Sequence, residues 1–137
     1  AAISRESGSG TRGAFDELVK NSEGKTLDKA ESFAKCVQTQ NSTGAVITQI
    51  STAGNTNLIG YISLGSLSEK VKALKYNGVE ATVANIESGA YKLSRPFLLL
   101  SKEGKTLSEA AQKFHDFIFS AEGQAIVEKD GYIKAVK

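Results

Sequence analysis

Ser4-Arg5-Glu6-Ser7-Gly8-Ser9-Gly10-Thr11-Arg12-Gly13 runs directly into Ala14-Phe15-Asp16-Glu17-Leu18-Val19-Lys20, and this junction decides how the rest of the chain is read. Gly8, Gly10 and Gly13 let the backbone turn tightly and present consecutive N–H groups, while Ser7, Ser9 and Thr11 add hydroxyls. Phe15, Leu18 and Val19 recur at i, i+3 and i+4. That spacing predicts a helix starting near Thr11, with its positive dipole end and unpaired N–H groups turned to the loop. Arg5 and Arg12 bring charge, and an Arg fork matches a tetrahedral oxyanion. The set suits a small anion, although the same letters also suit a turn whose Ser or Thr only caps a helix.

Neither common nucleotide motif fits. G-x-x-x-x-G-K-[ST] requires a Lys after its last Gly, and Gly13 is followed by Ala14. Gly8 to Gly13 matches the letters of G-x-G-x-x-G, but only Ala1-Ala2-Ile3 is available as the strand before it. The acidic residue expected roughly 20 residues further on would fall in the polar turn around Asp28.

Further along, Asn21 to Thr26 breaks the periodicity as a turn, and Leu27 to Val37 reads as a one-faced helix through Leu27, Ala30, Phe33, Ala34 and Val37. Asn41-Ser42-Thr43 offers caps for a helix over about Gly44 to Thr52 with Val46, Ile47 and Ile50 inward. Leu58 to Leu64 reads as a buried strand in which Gly60 marks close backbone approach, and Ser63 to Ser66 as a strand-to-helix turn that could border a cleft. Lys72 to Lys75 is a short strand, Asn77-Gly78 a tight turn, and Thr82 to Glu87 a helical turn. Tyr91 to Leu100 is extended, with Pro96 suited to an edge or bend. Ser108 opens a helix carrying Ala111, Phe114, Phe117 and Ile118 on one stripe. Ser120 caps the next, over Ala121 to Lys129, and Gly131 stands where a C-terminal glycine belongs. The three phenylalanines of this region read as core.

Helices interleaved with strands predict an α/β lobe with a mixed sheet and helices on both faces. Ligands of open α/β sheets sit at strand carboxyl ends, where Arg5 to Thr11 falls if Ala2-Ile3-Ser4 ends a strand. With 137 residues, 40% of them hydrophobic, the chain suffices for one cored unit. Seventeen Lys+Arg against 15 Asp+Glu leave +2, with no basic run to suggest nucleic acid. No stretch approaches the ~20 apolar residues of a membrane helix, and Ala1-Ala2-Ile3 is not a signal peptide. Cys36, the only cysteine, reads as a buried small side chain on the Phe33, Ala34, Val37 face. His115 is equally alone, which argues against a metal site or a Cys-His nucleophile, so no cofactor and no catalytic residue is expected.

Several ordered blocks carry a resemblance: Arg5 to Phe15, Leu58 to Leu67, Gly89-Ala90-Tyr91-Lys92-Leu93-Ser94-Arg95-Pro96-Phe97, Phe114 to Gln124, and Gly131-Tyr132-Ile133. Together they resemble the phosphate-binding proteins of bacterial phosphate ABC importers, of the type II periplasmic-binding-protein superfamily, over nearly the whole chain. That resemblance implies two lobes with phosphate between them. This chain would be a fragment: the second lobe (core about 1–90) plus a crossover strand and C-terminal helices (about 91–137). It implies phosphate held by Arg5, Ser9, Gly10 and Thr11, with Ser7 and Arg12 as weaker candidates. Some relatives carry Asp at the position of Ser7 to hold the Arg; Ser7 cannot do so, and adjacent Glu6 is expected to point elsewhere.

The implied partners are inorganic phosphate, a membrane permease and the missing first lobe, with the protein outside the cytoplasm on an upstream anchor or signal. The fragment itself is expected to self-associate. Selectivity for a protonated phosphate needs a carboxylate acceptor, which the resemblance places in the other lobe. Two alternatives come from other classes: a non-catalytic adhesion or interaction module, and a phosphate-ester enzyme, for which no nucleophile-base pair or carboxylate cluster is visible.

Overall fold

Ala2-Ile3-Ser4-Arg5 is the strand on which the other elements are hung. The computed structural model describes residues 1–27, 36–52, 54 and 57–135. In it β1 (Ala2–Arg5) lies between β2 (Val37–Gln40) and β3 (Ile59–Gly60), both parallel to it. Ala2 stands opposite Val37 and Ile59, and Ile3 opposite Gln38 and Gly60. The sheet described is thus wholly parallel, where a mixed one was expected. A central parallel strand is covered on both faces, and Ile3, Ser4 and Arg5 are buried accordingly.

Alternation along β1 sorts the helices. α1 (Gly10–Leu18) lies on the side of Ser4: its Phe15 ring stacks on Tyr61 at 4.1 Å, and the Tyr61 hydroxyl lies 2.8 Å from Ser4 Oγ. α2 (Thr43–Ser51) lies on the side of Ile3, because a Cβ on Gly60 would stand 3.0 Å from Val46 and 3.1 Å from Ile50. Gly60 is therefore a close-approach position, and Val46 is fully buried there.

Ser and Thr place the helix starts. Ser9, Ser42, Thr82, Ser108 and Ser120 each accept from the N–H three residues on, opening α1, α2, α3 (Val83–Glu87), α4 (Glu109–Ile118) and α5 (Ala121–Lys129). Gly131, at φ +79°, ends α5: its N–H reaches the Glu128 carbonyl and that of Tyr132 the Val127 carbonyl. Asn77 and Gly78, both at positive φ, make the tight turn joining Tyr76 to Val79.

Three strand expectations shrink. Of Leu58 to Leu64 only Ile59–Gly60 enters a ladder, and Lys72 to Lys75 and Tyr91 to Leu100 enter none among the described residues. Composition marks a segment fit for a strand, but the partner edge that makes it one is a tertiary fact. The helix expected over Leu27 to Val37 falls mostly on residues 28–35, outside those described; Val37 itself opens β2, and Cys36 is exposed, not buried. The chain divides into two compact units, Ala1–Arg95 and Pro96–Lys137. No helix among the described residues is long and apolar enough to cross a membrane.

Candidate functional site

β1 ends at Arg5, the chain turns through Ser7 and Gly8, and α1 begins at Gly10, all within the carboxyl end of the sheet. Gly8 adopts φ +88°, a conformation that disfavours any side chain. The turn closes when Ser9 N–H donates to the Glu6 carbonyl at 3.3 Å, and Ser9 Oγ accepts the Arg12 N–H at 3.2 Å. Gly13 N–H takes the Ser9 carbonyl, which starts the helix. Of the four N–H groups that a helix start leaves over, those of Gly10 and Thr11 find no acceptor among the described residues. Both face a loop with no acidic residue in the helix's first turn. Ser7, Gly8 and Gly10 are exposed, and Ser9 and Thr11 half-buried.

Arg5 is held at every polar group. Its N–H donates to the Tyr61 hydroxyl at 3.2 Å, and its carbonyl accepts from Arg12 Nη1 at 3.0 Å. The guanidinium donates to both carboxylate oxygens of Glu6, through Nε at 2.8 Å and Nη2 at 3.0 Å, and through Nη1 to Thr43 Oγ1 at 2.9 Å. Thr43 opens α2, so the Arg stands between the starts of two helices. The hydrogen bonds that Arg5 donates to Glu6 hold its guanidinium above even its usual high pKa. The same bonds, followed by one from Glu6's own backbone N–H, hold the Glu6 carboxyl below its ordinary range.

Glu6 is therefore not pointed away from Arg5, as the sequence suggested, but folded back on it. Neighbours within a strand project to opposite faces, which would keep the two side chains apart. The strand stops at Arg5, however, and the Glu6 N–H continues the ladder to the Gln40 carbonyl at 3.0 Å while the chain bends. Arg12 serves the loop from inside: its Nε pairs with the buried Asp16 at 3.2 Å, and its Nη1 ties down the end of β1. The sequence reading placed Thr43 at a helix start and Tyr61 in a strand, but did not read either as a companion of Arg5. Only the register of β1 against β3, and the placing of α2 beside β1, bring them to Arg5.

The parallel α/β unit that ends its central strand on a buried Arg and opens a helix on a Gly/Ser loop is of the periplasmic-binding-protein kind. The chain belongs to the PBP superfamily: residues 1–122 match the model of the PBP superfamily domain. It is 50% identical over 135 residues to the phosphate-binding protein PstS 2 of Streptococcus agalactiae, covering 96% of this chain and 44% of that one. Among solved structures it resembles a phosphate ABC transporter phosphate-binding protein of Streptococcus pneumoniae, at TM-score 0.80 and 43% identity, over 99% of this chain and 51% of the other. It also resembles a Clostridium perfringens protein, described as a candidate phosphate ABC transporter substrate-binding protein and solved with bound phosphate. That match has TM-score 0.79 and 43% identity, over 98% and 51% of the two chains. The chain spans about half the length of the relatives it matches.

Proposed function

We propose that this chain is one lobe of the solute-binding component of a phosphate ABC importer, holding inorganic phosphate without transforming it. The observation that carries the reading is the pair of N–H groups at Gly10 and Thr11 that have no acceptor among the described residues, on a helix start that follows directly from the buried, charged Arg5. An oxyanion is the partner such a start favours, since the N–H groups and the helix dipole share one sign. Arg5, Ser9, Gly10 and Thr11 are the donors, with Ser7 at the exposed rim. Proteins that this chain resembles over nearly its whole length bear phosphate-binding names, which supports phosphate as the ion.

The lobe works outside the cytoplasm, with a first lobe that completes the site and a membrane permease that receives the ion. Alone it leaves half of the ion in water, so each contact contributes only about 0.5–1.5 kcal/mol, somewhat more where charged. After immobilisation costs, affinity falls near millimolar, on the order of −4 kcal/mol.

Phosphate titration followed by amide NMR tests this. Shifts are expected to concentrate at Ser7 to Gly13, weaken with salt, and vanish when Thr11→Val is combined with Arg5→Ala. Shifts centred elsewhere, or none at tens of millimolar (a concentration chosen well above the expected affinity), would reduce the loop to a helix cap. Incubation with phosphomonoesters, with or without divalent metals, is expected to release no phosphate. Turnover that Arg5→Ala abolishes would point to an enzyme instead.

A further inference from the structure

Arg5 carries five N–H hydrogens, and the structure accounts for three: one on Nε and one on Nη2 to Glu6, and one on Nη1 to Thr43. One hydrogen on each terminal nitrogen has no acceptor among the described residues. From this geometry we infer that Glu6 and Thr43 are positioning residues, which take up three of the guanidinium's N–H groups so that its last two are the ones left for the oxyanion. The inference rests on the phosphate reading above and deepens it.

Three features separate this pair from an ordinary surface ion pair. Arg5 is only 8% exposed and its backbone is fixed at both N–H and carbonyl, so the guanidinium pivots on a rigid base. The Glu6 main chain is fixed too, by its N–H to the Gln40 carbonyl of β2. The third anchor, Thr43, is the first residue of α2, whose N-cap is Ser42. Three elements, β1, β2 and α2, therefore set one planar group. A fork-to-fork contact also fixes the rotation of the guanidinium about its long axis, which a single hydrogen bond would not.

The sign of one measurement decides the matter. Glu6 is a negative charge next to a site for an anion, and on charge alone its removal strengthens phosphate binding. If Glu6 positions Arg5, removal weakens binding, because the freed guanidinium must be ordered again each time the ion binds. The experiment is phosphate titration of this chain by NMR, for the unmodified protein and for Glu6→Gln, Glu6→Ala, Thr43→Val and Thr43→Ser. Alongside it, the ¹H–¹⁵N signal of Arg5 Nε is followed without ligand.

Expected are roughly tenfold weaker binding in Glu6→Ala, a smaller loss in Glu6→Gln, which keeps one acceptor, and roughly threefold in Thr43→Val, with Thr43→Ser close to the unmodified protein. The Arg5 Nε–H signal should be resolved in the unmodified chain and in Thr43→Ser, and lost to exchange in Glu6→Ala, with far-ultraviolet circular dichroism unchanged. Binding that is equal or tighter in Glu6→Ala, while the unmodified chain binds at Ser7 to Gly13, overturns this inference and leaves the phosphate reading intact. Absence of phosphate binding in the unmodified chain overturns both. A persistent Nε–H signal in Glu6→Ala also overturns the positioning role, since Arg5 would then be held without its fork.

Discussion

In the Ala1–Arg95 unit the side chains that matter reach far along the sequence: Ser4 meets Tyr61 across 57 residues, and Arg5 meets Thr43 across 38. In the Pro96–Lys137 unit most of the side-chain hydrogen bonds stay within a turn or two, although the Phe97 and Tyr132 rings meet edge to face at 5.3 Å. Lys113 pairs with Glu109 four residues back, Ser120 Oγ donates to the Phe117 carbonyl, and Gln124 to the Ile118 carbonyl. The first unit buries Ile3, Ser4, Arg5, Asp16 and Val46. The second leaves Phe97 85% and Leu100 91% exposed, with Phe114, Phe117 and Ile126 also open to solvent. Helices held by caps and i,i+4 pairs take shape without a core of their own, whereas a buried Arg needs several elements to satisfy it. The site therefore belongs to the unit with long-range ties, where position is over-determined.

The largest expected effect breaks the local unit at its turn. A Cβ on Gly123 would stand 2.1 Å from the Phe117 carbonyl oxygen and 2.9 Å from that of Ile118. These are backbone atoms that have no flexible end to move. Gly123→Ala should destabilise the α4–α5 pair by about 3 kcal/mol or more, read as accelerated amide exchange across Glu109 to Lys129. Exchange rates unchanged in α4 and α5 would show that the close turn is not what holds the pair.

Next in size is the core of the sheet unit. Val46→Ala removes two methyl groups from a fully buried position and should cost about 2 kcal/mol in denaturant unfolding. Gly60→Ala should cost about 1 kcal/mol on its own, because its new methyl meets side-chain ends that can shift. The two are coupled: with Val46 already Ala, the methyl at 60 has room, and the double variant should be more stable than the sum by about 0.5–1 kcal/mol. Strict additivity would mean that Gly60 is required for its backbone and not for the approach of α2.

What the sequence disclosed follows the same division. Caps are local chemistry, so Ser42, Thr82, Ser108 and Ser120 announced α2 to α5 within a residue or two, and Gly131 announced the end of α5. The turn from Arg5 into α1 was legible for the same reason, and so was the one-faced burial of Val46. Parallel pairing was not legible, because β2 and β3 are joined to β1 across intervening chain and neither partner carries a signature of the other. Glu6 was expected to point elsewhere, and it folds back on Arg5 because the strand ends at Arg5 and the chain bends there. Thr43 and Tyr61 could not be read as companions of Arg5, since only register places them there.

The smallest effect on stability is expected where the comparison is sharpest. Leu98 and Leu100 lie in a segment that enters no ladder among the described residues, and both are largely open to solvent. Replacing both with Lys should change unfolding free energy by no more than about 0.5 kcal/mol, since side chains that bury little lose little. Association should respond much more strongly. Four consecutive apolar residues, Phe97 to Leu100, whose backbone N–H and C=O groups make no backbone hydrogen bond among the described residues, invite pairing with a second copy, and Lys is the residue that natural sheet edges use to discourage it. Sedimentation velocity over a concentration series should show the unmodified chain associating and Leu98→Lys with Leu100→Lys remaining monomeric, while the phosphate-induced shifts at Ser7 to Gly13 persist in both. A monomeric unmodified chain at high concentration, or association that survives the two lysines, would show that this apolar run is not a docking edge in the isolated chain.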